Sequence, residues 1–330
     1  MEIKEQTLKL IDNLKVICSS YGLGNDGNEY KIITQIFLYK FLCDKFGYEA
    51  KQINDTLKNA TKWEVAYANM TEDERDLLLD ILSANTPKLK PEHLIYNLWN
   101  NQNKGDFDII LDNTLVDIAQ FNKDIFSTQT AENTKLQVFE KITGYVSDEN
   151  KRSEFARALI DKLNNFSFEK AFQEKYDFFA YIFEYLIKDY NIAGGGKYAE
   201  YYTPHSIATI IARLLVKDNS QLQNMECYDP SAGTGTLLMA IAHQIGEDKC
   251  TIYSQDISQK SHSMLKLNLI LNNLISSLTN IIQGDTLLHP YHKNNTGDQL
   301  KQFDFVVSNP PFKNDFSEMR DTLANSTTRF

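Results

Sequence analysis

Asp229-Pro230-Ser231-Ala232-Gly233-Thr234-Gly235-Thr236 places a strand end, a glycine turn and a helix start in one short stretch. An apolar run ends at Tyr228-Asp229, and the apolar spacing beyond the turn predicts a helix over Thr236–Ile245. Glycine carries no Cβ, so backbone can approach a ligand closely there, and in open parallel sheets ligands lie over the carboxyl ends of the strands. Toward the carboxy terminus the pattern predicts a strand over 251–255, a helix over 259–272, and strands over 279–282 and 303–308. Strand–helix–strand alternation implies a parallel sheet with right-handed crossovers, an α/β fold.

The turn lacks the third glycine of the dinucleotide fingerprint, since Leu238 stands in its place. That counts against a nicotinamide dinucleotide. Asp256 ends the next strand, 21 residues past Gly235, where an acid can accept hydrogen bonds from both hydroxyls of a ribose. Gly284-Asp285 follows the third strand; the acid could cap the amino group of an adenine, although the dipeptide is also a common turn. Directly after the fourth strand comes Asn309-Pro310-Pro311-Phe312. Two prolines fix φ and remove two donors, so the loop is stiff and its carbonyls are predictably aimed. An exocyclic amine on an aromatic ring is a poor nucleophile because its lone pair is delocalised. Accepting both its hydrogens, at the Asn309 side-chain oxygen and the Pro310 carbonyl, pushes that lone pair towards a methyl donor, while Phe312 can stack on the base.

Upstream, Gly194 to Gly196 form a flexible joint, and Thr203-Pro204 reads as an N-cap with proline at the first helical position, opening a helix over 205–216. The first 160 or so residues read as helical. Ile32, Ile33, Ile36, Phe37, Tyr39, Phe41 and Leu42 recur at helical spacing; further helices are expected over 71–83, capped by Thr71 with Glu74, and over 135–143. Polar, Asn-rich joints separate them, with no β-alternation and no internal repeat. Ten aromatics between Phe166 and Tyr190 read as a helix buried on most sides, in preference to a base-stacking platform.

The chain has 330 residues, enough for two domains, with 42% apolar and 24% charged residues. Its start has no signal-peptide pattern, no apolar run reaches the length of a membrane span, and Cys18, Cys43, Cys227 and Cys250 are scattered, so a reduced cytoplasmic location is expected. A net charge of −10 argues against a protein that grips DNA alone, because phosphate contacts need a basic face. A partner is expected to supply that grip. His289 and His292 could be half a metal site, but Pro290 stands between them and no third ligand is in view, so no metal is expected.

Taken in order, Asp229 to Thr236, Asp256, Asp285 and Asn309 to Phe312 resemble the successive motifs of S-adenosylmethionine-dependent adenine-N6 DNA methyltransferases, specifically the modification subunits of type I restriction–modification systems. Tyr201-Tyr202-Thr203-Pro204 resembles the family's upstream motif, and the stretch from Asn28 to Phe46 resembles its helical amino-terminal domain. The resemblance implies S-adenosyl-L-methionine as cofactor, held by Tyr202, Thr203, Pro204, Asp229, Ser231, Gly233, Thr234, Gly235, Thr236, Asp256 and Asp285. It implies catalysis by Asn309, Pro310, Pro311 and Phe312 on an adenine flipped out of DNA. It also implies assembly with a second modification subunit, a specificity subunit and restriction subunits, with DNA reached through that complex and no membrane involved.

The expected architecture is therefore a Rossmann-like methyltransferase core over 161–330, preceded by an all-α domain over 1–160. Eighteen residues follow Phe312, and about three further strands would complete such a sheet, so the core is expected to be carboxy-terminally incomplete and inactive in isolation. Two alternatives stay open: a protein glutamine-N5 methyltransferase, which shares an Asn-Pro-Pro-aromatic loop, and a non-catalytic subunit for donor binding or assembly.

Overall fold

The computed structural model describes residues 3–24, 28–83, 85–123, 128–130, 135–136, 139–173, 181–186, 203–217, 221–310 and 317–325. The chain divides into two compact units, Met1–Phe126 with Gln137–Ala193, and Ser127–Leu136 with Gly194–Phe330. The boundary thus falls at 193/194 and not at 160. Residues beyond 160 belong with the helices because Phe168 is buried edge-on against Phe37 and Phe41, at 5.1 and 5.7 Å between ring centroids. Its N–H donates to Asp44 Oδ2 at 2.7 Å.

The first unit is built around the helix Glu29–Ile53, which buries residues on most of its circumference, as its near-continuous apolar run requires. Helices Ile3–Ser20, Phe107–Phe121 and Glu149–Asn164 each bury a single stripe. Glu72–Ile81 opens with the expected capping box: the Thr71 hydroxyl accepts from the Glu74 N–H, and the Glu74 carboxylate accepts from the Thr71 N–H. In the aromatic stretch, Ile182, Phe183 and Leu186 are buried and Tyr181 is exposed; residues 174–180 and 187–190 lie outside the described set.

The helix expected over 135–143 does not form. Lys135–Leu136 is a strand (β2) paired antiparallel with Thr128–Thr130 (β1). Ile142 and Thr143 are held by Asp112, whose carboxylate accepts from the Ile142 N–H at 2.9 Å and from the Thr143 N–H at 3.1 Å and hydroxyl at 2.6 Å. A buried acceptor diverts the backbone donors that a helix would have used.

In the second unit the strands are Met225–Asp229 (β3), Cys250–Asp256 (β4), Ile281–Gln283 (β5) and Phe305–Val306 (β6). With the hairpin they form one sheet in the order β2-β1-β5-β4-β3-β6, parallel from β1 to β6. Helix Thr236–Ile245 has the expected bounds, and Gln259–Leu271 ends one residue earlier than expected. The fourth strand is shorter than the expected 303–308 because β6 ends the sheet order and pairs with β3 alone. Strand order reverses at β3: β4 and β5 step away on one side and β6 lies on the other. The carboxyl ends of β3 and β6 flank this switch point, where open α/β sheets bind ligands.

Gly235 sits at φ +81°, and a Cβ built there would lie 2.2 Å from Leu265 Cδ1, which is fully buried. The glycine turn therefore needs both the left-handed conformation and the missing side chain. Gly235→Ala is expected to cost about 2–4 kcal/mol, as the sum of left-handed strain and overpacking. Denaturant unfolding checks this, and a loss under about 0.5 kcal/mol would show that the turn relaxes freely.

Candidate active site

Asp229, Asp256, Gly284-Asp285 and Ser308-Asn309 all lie at or just past the carboxyl ends of parallel strands, as register places Asp229 opposite Ser254 and Asp256 opposite Gln283. Gly233 and Gly235 adopt φ of +53° and +81° and turn the chain from β3 into the next helix. The turn is braced from three sides. The Gly233 N–H donates to Asp256 Oδ2 at 2.8 Å, Asn268 Nδ2 donates to the Thr234 carbonyl at 3.0 Å, and the Thr286 hydroxyl donates to the Pro230 carbonyl at 2.7 Å. Asp256 Oδ1 also accepts from the Ser258 N–H at 2.9 Å.

A small cleft is lined by Thr203, Asp229, Ser231, Ala232, Thr234, Thr236, Leu237 and Asn309. Across it, Asn309 Nδ2 donates to Thr203 Oγ1 at 3.1 Å. Thr203 therefore does not cap the following helix as expected: Pro204 occupies the N-cap of His205–Leu215, and the threonine hydroxyl serves the asparagine instead. Thr234 and Thr236 hydroxyls lie 3.3 Å apart within the cleft wall.

Asp229 is 2% exposed. Burial pushes its carboxyl up to about 7, the nearby Asp256 charge adds to the rise, and the Ser231 N–H with the Ser231 and Ser308 hydroxyls opposes it. Asp285 is placed beside Asp256, since the Gly284 N–H donates to the Asp256 carbonyl at 2.9 Å. Its own carboxylate, however, accepts from the Leu287 and Leu288 N–H groups at 2.7 and 3.0 Å, which is the turn reading of the dipeptide. Pro310 follows Asn309 on an exposed loop; Tyr202, Pro311 and Phe312 lie outside the described residues.

Ser308, Asn268 and Thr286 were not singled out by the sequence. For Ser308 a signal existed, its place next to Asn309; for the other two nothing local marks them. A larger cleft in the helical unit has paired polar walls, with Lys40 on Asp44 at 2.8 Å and Lys51 on Glu169 at 2.7 Å. Among the described residues no group of three or more His, Cys, Asp or Glu could hold a metal ion, and no helix is long and apolar enough to cross a membrane.

A glycine turn, a strand-end acid and an Asn-Pro loop around one switch point belong to an α/β domain with the methyltransferase fold. Residues 174–330 match the N-6 DNA Methylase family. The chain is similar to the methylase subunit of the type I restriction enzyme MpnII of Mycoplasma pneumoniae, at 26% identity over 92% of this chain and 58% of the relative. It is also similar to the HindI methylase subunit of Haemophilus influenzae, at 24% identity over 63% of this chain and 46% of that one. It thus spans about half the length of these relatives. A crystal structure of a type I restriction-modification methyltransferase subunit from Streptococcus thermophilus shares the fold, with a TM-score of 0.74 at 18% identity over 98% of this chain and 66% of the other.

The methyl donor of N-6 methylases is S-adenosylmethionine. The residues present fit it: a cation suits a cleft whose buried acid, Asp229, stands beside a second acid, Asp256, which accepts from the Gly233 N–H of the turn.

Because the folded-state value of Asp229 lies above the ordinary 3.8, the fold holds its proton more tightly than the unfolded chain does. Its contribution to stability is then fully present below about pH 4 and is lost as pH rises through about 7. Asp229→Asn keeps an acceptor for the Ser231 N–H and removes the ionised form. It should raise the melting temperature at pH 8 and leave it nearly unchanged at pH 4. An equal effect at both pH values would count against this account.

Proposed function

We propose that the second unit carries out methyl transfer to N6 of adenine in DNA, as the modification component of a type I restriction–modification assembly. The observation that carries this reading is the Asn309 carboxamide, held at Thr203 across the cleft from the glycine turn. With Nδ2 committed to Thr203, Oδ1 is the atom that accepts a hydrogen from the substrate amine, and the Pro310 carbonyl accepts the other. When bound, S-adenosylmethionine supplies the electrophilic methyl group. The side chains of this chain supply position and hydrogen-bond acceptance, the transfer needs no general base, and the amine gives up its proton to solvent after transfer. Phe312 is assigned to stacking on the flipped base, a contact worth about 1–3 kcal/mol.

The relatives are named as methylase subunits of type I restriction enzymes, which supports a place in a multi-subunit assembly; a specificity subunit, restriction subunits and a second modification subunit are the partners proposed. The net charge of −10 supports DNA contact made through such a complex. The helical first unit is assigned to assembly.

Two substitutions separate donor binding from transfer. Asp256→Ala should weaken S-adenosylmethionine binding at least tenfold in calorimetry, since bonds to a charged acceptor are worth about 1.5–3 kcal/mol. Unchanged affinity in a folded variant would remove Asp256 from the donor site. Asn309→Ala should keep donor affinity within a few-fold yet abolish adenine methylation when specificity subunit and cognate DNA are supplied. Near-normal methylation by this variant would refute the activation of the amine described here.

A further inference from the structure

We infer that Ser308 is a positioning residue that fastens the transfer loop to the Asp229 end of β3 and thereby sets the Asn309 carboxamide, an inference that rests on the proposed function for the meaning of that loop. The last ladder bond before the loop is the Val307 N–H to the Tyr228 carbonyl, at 3.0 Å. Beyond it, among the described residues, the loop is held by side chains. Ser308 Oγ lies 2.7 Å from Ser231 Oγ, and Asn309 Nδ2 reaches Thr203. The Ser231 N–H donates to Asp229 Oδ1 at 2.9 Å, so the Ser308–Ser231 hydroxyl pair stands beside the Asp229 carboxylate and lowers its carboxyl.

Two adjacent residues therefore grip opposite sides of the switch point, Ser308 on the β3 side and Asn309 on the Thr203 side. A carboxamide pinned at Nδ2 alone can still swing about its Cα–Cβ bond; fixing the preceding residue removes that freedom from the backbone that carries it. The charged neighbour of this cluster is Asp256 on β4, joined to the turn through the Gly233 N–H. Ser308 itself is exposed, so its hydroxyl contributes little to the core and its loss should leave the fold intact.

The test uses the full chain labelled with ¹³C-aspartate and ¹⁵N-asparagine, in the wild type, Ser308→Ala and Ser308→Thr. In Ser308→Ala the Asp229 carboxyl should titrate about half a pH unit or more above the wild type, because the hydroxyl paired with Ser231, which favours the ionised form, is gone. The Asn309 side-chain amide resonances should also move, and Ser308→Thr, which keeps the hydroxyl, should restore both. A purely structural serine would move neither signal; unmoved signals in folded Ser308→Ala, or failure of threonine to restore them, would overturn the inference. Titration with S-adenosylhomocysteine forms a separate arm. Absence of binding by the wild type would tell against the proposed function alone, since the coupling of Ser308 to Asp229 and Asn309 is read without ligand.

Discussion

The reversal of strand order at β3 is the constraint on which the site depends. Right-handed crossovers carry the chain from β3 to β4 to β5 in one direction, so β6 can join only by returning to the other side of β3. Such a reversal is where open α/β sheets bind ligands, over the carboxyl ends of the strands. The register of β3 with β6 decides which residues stand at those ends. It is fixed by the Asp304 N–H on the Glu226 carbonyl at 3.0 Å, the Glu226 N–H on Asp304 Oδ2 at 2.8 Å, and the Val307 N–H on the Tyr228 carbonyl. A slip of one residue would turn Ser308 and Asn309 to the wrong faces.

Returning from β5 to β6 means crossing both intervening strands, and residues 284–304 do so without a helix among them. Side chains mark the route. The buried Gln255 on β4 donates to the His289 carbonyl at 2.8 Å and accepts from the Tyr291 N–H at 3.0 Å. His292 Nε2 then sits 3.0 Å from the Ser254 carbonyl, with its ring edge-on to Tyr253 and Tyr228. Phe303 stacks on Tyr228 at 4.5 Å, and Lys301 pairs with Glu226 at 2.8 Å, delivering the chain to β6. The spacing of His289 and His292 thus serves a polar and aromatic strap. A connection without helical hydrogen bonds holds its shape because each crossing is paid in side-chain bonds to the strand beneath.

What the sequence made legible was local. The glycine turn, the helix from Thr236 and the capping box at Thr71 are each specified within a few residues, and each formed where expected. The hairpin β1–β2 was illegible because its partner is Ile281–Gln283, far along the chain; no period within 128–136 reports a parallel neighbour at that separation. Thr203 shows a subtler failure. Its residue type and the following proline suit an N-cap, but a hydroxyl that can cap a helix can also hold a carboxamide, and the choice depends on where Asn309 arrives. Asp285 poses the same problem in reverse, since a strand-end acid and an acid that closes a turn look alike until its donors are known. Ser308 went unread because a serine carries little intrinsic signal; its role comes from Ser231 and Asp229 on a different strand.

Charge explains why these contacts converge at this point. Two acids at adjoining strand ends, one of them buried, burden the fold, and the ledger improves only when a donor or a cation comes near. The protein supplies backbone N–H donors from Ser231, Gly233 and Ser258, and the paired hydroxyls of Ser231 and Ser308 beside Asp229 lower its carboxyl further. These bonds temper the repulsion without neutralising it, so a cationic ligand still gains by entering. The same hydroxyl that tempers Asp229 belongs to the residue before Asn309. Relief of charge on the β3 side and placement of the carboxamide on the β6 side therefore pass through one serine, which ties the electrostatics of the turn to the geometry of the loop.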